Sequence, residues 1–206
     1  MSRYLLTHSL LSSWLNAIRE DPREDATTER DRYAEFLNTL NRVDTPPTEA
    51  MQNGIDFEEL VTSIANGADW QTDRENRWYD AACKVAEIVK GGQFQFRAKK
   101  TVTVNGVTFL LYGRLDVLKA GDIDDIKFSQ SYERGKYFDS TQHPMYMELV
   151  PEARQFRYII SNGTNVWTET YTREETPDIY PIISDFVDWL SENGLLPLYK
   201  EKWLAL

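Results

Sequence analysis

The stretch YGRLDVLKAGDIDDIKFSQ, Tyr112 to Gln130, sets four aspartates and two lysines into a pattern that otherwise reads as two β-strands. Aspartate is depleted in strands, so these carboxylates call for a reason other than core filling. Side chains alternate between the two sides of a strand. Phe109, Leu111, Leu115 and Val117 therefore share one parity of the first strand, and Tyr112, Arg114 and Asp116 share the other. In the next strand Asp125 and Lys127 point one way, while Ile126 and Phe128 point the opposite way, toward a core. The connection LKAGDI is short enough to make the two strands neighbours. The pattern thus predicts Asp116, Asp125 and Lys127 on one side of an adjacent pair. Two carboxylates and a lysine suit a hard cation such as Mg²⁺, which takes a couple of carboxylates, water and phosphate oxygens. Such a cation acidifies a bound water and offsets charge growing on a phosphate, and a nearby lysine orients the water or stabilises that charge. A solvated, twisted hairpin would carry the same residues, so the rest of the chain has to decide.

Working outward, FQFRAKKTVTVNGVTFLLYGRLDVL predicts a hairpin turning at Asn105-Gly106, with IDDIKFS as a third strand. Before it the period is that of helices. Leu10, Leu11, Trp14, Leu15 and Ile18 recur at helical spacing within residues 1–20. Residues 21–31, with Pro22, read as a loop leading to a helix near Tyr33–Leu40. After the break at VDTPPT, Thr48 caps a helix with the apolar stripe Phe57, Leu60, Val61 and Ile64, ended by Gly67. Thr72 and Glu75 make a capping-box pattern for a helix that runs to about Lys90 and stops at Gly91-Gly92. Beyond the third strand, Gly135 to Val150 reads as a helix weakened by Pro144. RQFRYIISNGTNVWTETYT reads as a hairpin turning at Asn162-Gly163. A last helix is expected over Asp178 to Asn193, with Gly194 as its cap, and the apolar tail LLPLYKEKWLAL packs back on the body. The order predicts a mixed α+β (α/β) fold in a single domain, 1–206, with residues 1–90 mainly helical and 91–206 forming the sheet core with flanking helices.

Composition narrows the classes. The 206 residues are 41% hydrophobic and 13% aromatic, enough to bury a real core. A net charge of −10 argues against a general nucleic-acid coat, although a local basic groove can coexist with an acidic exterior. Cys83 is the one cysteine, which excludes an internal disulfide and a Cys-rich metal centre; its setting reads as a small buried hydrophobe. No signal peptide and no membrane-length apolar run is expected, and a cytoplasmic protein is the reading that follows.

The motifs together resemble the PD-(D/E)XK nuclease superfamily, and within it the RecB-like exonuclease group, which includes CRISPR adaptation nucleases and many phage proteins. The resemblance rests on GRLD (Gly113–Asp116), DIK (Asp125–Lys127), Gln142 and Tyr146 in QHPMY, and NGIDFEEL, where Glu58 follows Gly54 by four residues. THSLLSSWLNAI also looks like the Ser-rich opening helix of such enzymes. The resemblance spans residues 8 to about 146. It implies an αβββαβ restriction-endonuclease-like core with an N-terminal helical extension. It implies Mg²⁺ or Mn²⁺ at Glu58, Asp116 and Asp125, with Lys127, Gln142 and Tyr146 completing the catalytic set. It further implies DNA as partner, with a helicase or recombination protein as a second. Glu58 stands where the group commonly has His, and one cysteine cannot build the iron–sulfur cluster of the adaptation nucleases.

The helical wheel favours Glu58 over Glu59: Glu58 flanks the apolar stripe, while Glu59 falls nearer solvent. Gly54, costly within a helix, implies a close approach of something there, the sheet being the natural candidate. Gln142 and Tyr146 share a helix face, placed to touch phosphate or to hold the lysine. Lys99, Lys100, Arg114, Arg134 and Lys136 are phosphate-contact candidates or ordinary surface charges. His8 and His143 read as incidental, and Phe94, Phe96 and Phe109 as core. The expected function is a metal-dependent deoxyribonuclease. The alternative is a catalytically silent nuclease-like module that binds DNA ends or a protein.

Overall fold

The computed structural model describes residues 2–68 and 74–205. Among these, seven α-helices surround one six-stranded mixed sheet, so the fold is mixed α/β. Strand β1 (Tyr4–Leu6) precedes α1 (His8–Ile18), α2 (Ala26–Leu40), α3 (Glu49–Ala65) and α4 (Tyr79–Val89). Then come β2 (Gln93–Val104), β3 (Val107–Lys119), β4 (Asp122–Phe128), α5 (Gln142–Leu149), β5 (Gln155–Ser161), β6 (Val166–Thr172), α6 (Tyr180–Glu192) and α7 (Leu196–Lys202). From α4 to β5 the order is helix, three strands, helix, strand.

Local chemistry sets most boundaries. Thr7, Asp25 and Thr48 accept hydrogen bonds from the N–H groups of Leu10, Thr28 and Met51, capping α1, α2 and α3. Asn105 (φ 47°) and Gly106 (φ 74°) form the two-residue turn between β2 and β3, and Ala120 (φ 51°) and Gly121 (φ 86°) the turn between β3 and β4. Four expectations change. Helix α2 begins at Ala26, inside the segment 21–31 expected to be a loop, because the Asp25 carboxylate caps it there. The N-terminal helix is preceded by a short strand, since Tyr4–Leu6 pairs parallel with Phe109–Leu111. The segment from Gly135 becomes helical only at Gln142, after turns, because Tyr132, Gly135 and Tyr137 are tied instead to Glu169. Cys83 is half-buried rather than fully buried. The capping box at Thr72 lies outside the described residues. The tail does pack back: Tyr199 is buried and its hydroxyl donates to the Leu5 carbonyl, while the Trp203 indole donates to that of Leu40.

Strand β3 organises the sheet. One edge pairs with β2 along its length. The other edge is shared, with β1 at Phe109–Leu111 and β4 at Val117–Lys119. Between them, residues 112–116 face a gap. Apolar side chains form two clusters, one on each face. The larger contains Leu10, Leu11, Trp14, Phe109, Leu111, Leu115, Met145, Phe156, Tyr158 and Ile160. The smaller contains Phe57, Leu60, Val61, Val85, Val117, Ile126 and Ile159.

These clusters correct the alternation expected for β3. Leu115 and Val117 should share a face, yet they lie in different clusters. Strand β2 changes face at the same level, Phe96 packing on the larger cluster and Phe94 on the smaller. Phe96 pairs with Leu115 and Phe94 with Val117; Gln95 between them has φ 53°. Both strands therefore lose their alternation where Asp116 stands.

Candidate active site

The gap along β3 opens into a cavity of about 350 Å³ that holds all six candidate residues: Glu58, Asp116, Asp125, Lys127, Gln142 and Tyr146. Its walls come from both faces of the sheet. Glu58 belongs to α3, which packs on the smaller cluster. Gln142 and Tyr146 belong to α5, whose Met145 lies in the larger. Asp125 pairs with Tyr158 and Lys127 with Ile160, whereas Ile126 pairs with Ile159. Asp125 and Lys127 are thus on the face of the larger cluster. The carboxylates meet in the gap between strands, not on one side of a continuous sheet as alternation had implied.

The gap also explains Asp116. Strands β3 and β4 diverge beyond the Val117–Asp124 pair, so the Ile126 N–H has no strand carbonyl opposite it. The Asp116 carboxylate takes that place, Oδ2 accepting from Ile126 N at 2.8 Å. Asp125 is buried and doubly held, Oδ1 by the Gln142 amide at 2.5 Å and Oδ2 by Lys127 Nζ at 2.8 Å. Glu58 accepts from the Gln95 amide. Glu59 is exposed, as the helical wheel required.

Electrostatics bind the set together. Burial, then the charges of Asp125 and Glu58, push Asp116 well above the usual carboxylate range, against the pull of the Ile126 N–H and Lys127. Burial also raises Glu58, which Arg114 partly offsets and Asp125 reinforces. Burial opposes charge on Lys127, but Asp125 and then Asp116 outweigh it and raise its pKa, so this amine stays cationic at neutral pH.

Other candidates are placed differently. Gln142 holds Asp125 rather than the lysine, and the Tyr146 hydroxyl donates to the Arg114 carbonyl at 3.1 Å. Lys100 is paired with Glu148, and Lys136 donates to Ser129 and Ser131. Arg114 lines the cavity, while Lys99 and Arg134 are exposed. Gly54 does not mark a close approach, since a Cβ there would meet nothing within 4 Å. The glycine that does is Gly113, where a Cβ would stand 2.6 Å from Tyr146 and 2.8 Å from Leu149. A glycine inside a strand pattern is the signal for such contact. His8 also lines the cavity; burial, then Lys127, lowers its pKa to about 4 and keeps it neutral. The Thr7 cap, which begins α1 at His8, is the sequence feature that fixes its place. His143 lies away from the cavity, buried and stacked on Tyr171.

Glu58, Asp116 and Asp125 line one cavity, and the charge of Asp125 raises the proton affinity of both Glu58 and Asp116, a crowding of negative charge that a divalent ion relieves. As the side chains stand, no group of three or more His, Cys, Asp or Glu among the described residues is arranged to hold a metal ion. The oxygens of Asp125 are engaged by Gln142 and Lys127, and one of Glu58 by Gln95. The fit is one of donor chemistry and charge.

No family model matches the chain, and no curated protein matches it. Among solved structures, one described as the crystal structure of SSO0001 aligns over 94% of this chain and 79% of that chain, with 11% identity and a TM-score of 0.48. Likeness of that degree bears on neither family nor function. No helix among the described residues is long and apolar enough to cross a membrane.

Proposed function

We propose that this chain is a metal-dependent nuclease that hydrolyses phosphodiester bonds in DNA, a RecB-like exonuclease of DNA processing, recombination or repair. The observation that carries the reading is Asp125, fixed between Lys127 and Gln142 in a cavity shared with Asp116 and Glu58. Glu58, Asp116 and Asp125 would hold Mg²⁺ or Mn²⁺. A bound cation of this kind supplies an acidified water and offsets charge on the phosphate. Lys127, held protonated by its carboxylates, presents positive charge to the reacting phosphate rather than removing a proton. Gln142 fixes the Asp125 carboxylate, and Arg114, exposed and lining the cavity, would meet the DNA backbone. Neutral His8 adds a hydrogen-bonding ring without adding charge.

The test is digestion of end-labelled linear and circular DNA, single- and double-stranded, with Mg²⁺ or Mn²⁺. Cleavage that EDTA stops and either metal restores is expected. DNA binding without nicking or degradation in either metal would replace the enzyme by a silent DNA-end binding module.

A further inference from the structure

Gln95 escaped sequence reading, yet it meets the site through both its backbone and its side chain. Four non-glycine residues among those described have positive φ: Arg42, Gln95, Asn105 and Ala120. Asn105 and Ala120 lie in tight turns, and Arg42 follows the end of α2. Gln95 alone lies within a strand. A side chain disfavours this conformation, and glycine is the residue that adopts it freely. Its position is also particular, at the level of Asp116 between the pairs Phe94–Val117 and Phe96–Leu115, where both strands lose their alternation.

The side chain explains why glycine does not stand there. The Gln95 amide donates to Glu58 Oε1, whereas its own Oε1 is buried without a hydrogen-bond partner. The left-handed backbone and the unpaired Oε1 are costs that a glycine would avoid, and the bond to Glu58 is what offsets them. Gln95, Glu58 and Arg114 also line a second cavity of about 560 Å³, and Glu58 and Arg114 line the first as well. Glu58 thus stands in the wall between two cavities, and Gln95 lines the one that Asp125 does not.

We infer that Gln95 is a positioning residue for Glu58: its left-handed backbone aims the amide at one carboxylate oxygen and leaves the other directed at the site. The assignment rests on the proposed metal role of Glu58. Strained backbone gathers where function over-determines it, and partners that orient ligating carboxylates carry roughly ten- to a hundredfold in metal affinity.

The substitution Gln95→Gly separates the two roles, because it relieves the backbone and deletes the amide. Mn²⁺ binding is titrated by electron paramagnetic resonance in the absence of DNA, with thermal denaturation alongside. The expected result is Mn²⁺ affinity lowered about tenfold or more, with a melting temperature unchanged or raised. In a cycle with Glu58→Ala, the double variant should bind Mn²⁺ no more weakly than Glu58→Ala alone. Unchanged Mn²⁺ affinity in Gln95→Gly, or losses that add independently, would overturn the assignment while leaving the proposed nuclease untouched. Wild-type chain that binds Mn²⁺ in a Gln95-dependent way but cuts no DNA would overturn the nuclease and keep the assignment. Wild-type chain that binds no Mn²⁺ would overturn both.

Discussion

Two antiparallel hairpins of one sheet part company over how far their strands stay paired. β5 and β6 remain in register from Gln155–Thr172 to Ser161–Val166, whereas β3 and β4 pair only from Val117–Asp124 to Lys119–Asp122 and then separate. Each hairpin carries a carboxylate withdrawn from water. Burial works to raise Glu169 on β6, but the hydroxyls of Tyr171 and Tyr132 and the N–H groups of Gly135 and Tyr137 hold it below the usual range. Asp116 on β3 has one N–H and two neighbouring acids, and it is pushed the other way. The difference teaches that burial alone does not make a carboxylate reactive. A full set of donors turns it into structure, and a shortage of them leaves it available for chemistry.

That contrast can be broken most forcefully on the open hairpin. Asp125→Asn and Lys127→Ala should each lower DNA cleavage by about a thousandfold, while a gel-shift assay without metal shows DNA still bound, because phosphate contacts come mostly from other residues. Loss of DNA binding along with cleavage would mean these residues hold the fold or the substrate instead.

On the closed hairpin the same kind of change should strike stability. Glu169→Gln turns one acceptor oxygen into a donor facing groups that already donate, and it should cost about 3 kcal/mol, a fall of roughly 6–12 °C in melting temperature for a domain this size. A melting curve unchanged by that substitution would erase the distinction between the two acids.

The smallest effect sharpens the comparison through pH. A carboxyl raised in the folded state binds its proton more tightly there than in the unfolded chain. Asp116 therefore destabilises the fold as pH rises from its ordinary unfolded value toward its raised folded one, and not below. Glu169, lowered on folding, contributes stability above the ordinary carboxyl range that is lost as pH falls through it. Asp116→Asn, which can keep the bond to Ile126, should be more stable than wild type by about 1 kcal/mol at pH 7. That advantage should fade toward pH 4 in denaturation curves.

Much of this was legible in residue order. The turns at Asn105-Gly106 and Asn162-Gly163, the caps Thr48 and Gly194, and the grouping of Asp116, Asp125 and Lys127 follow from short-range chemistry and strand spacing, whereas Glu58, Gln142 and Tyr146 came with the family resemblance. Three things were not. The β1 strand is three residues long and gains its place only by pairing with a distant partner, so no local period announces it. The break in alternation at Asp116 depends on Gln95 across the hairpin, and period-two reasoning assumes an unbroken strand. The role of Gly54 was misjudged because a helical glycine was read as a contact, while the real contact fell on Gly113, inside a motif read for its aspartate.

The pairing of Tyr4–Leu6 with Phe109–Leu111 has a consequence in time as well as in space. The two-residue turn between β3 and β4 closes a small loop and can form early, bringing Asp116 and Asp125 near each other. β1 must find a partner roughly a hundred residues away, and such closures are slow because their entropy is spent before any contact repays it. The wall of Thr7, His8 and Ser9 arrives with β1. A refolding chain is therefore expected to bring Asp116 and Asp125 together before β1 closes the wall over them.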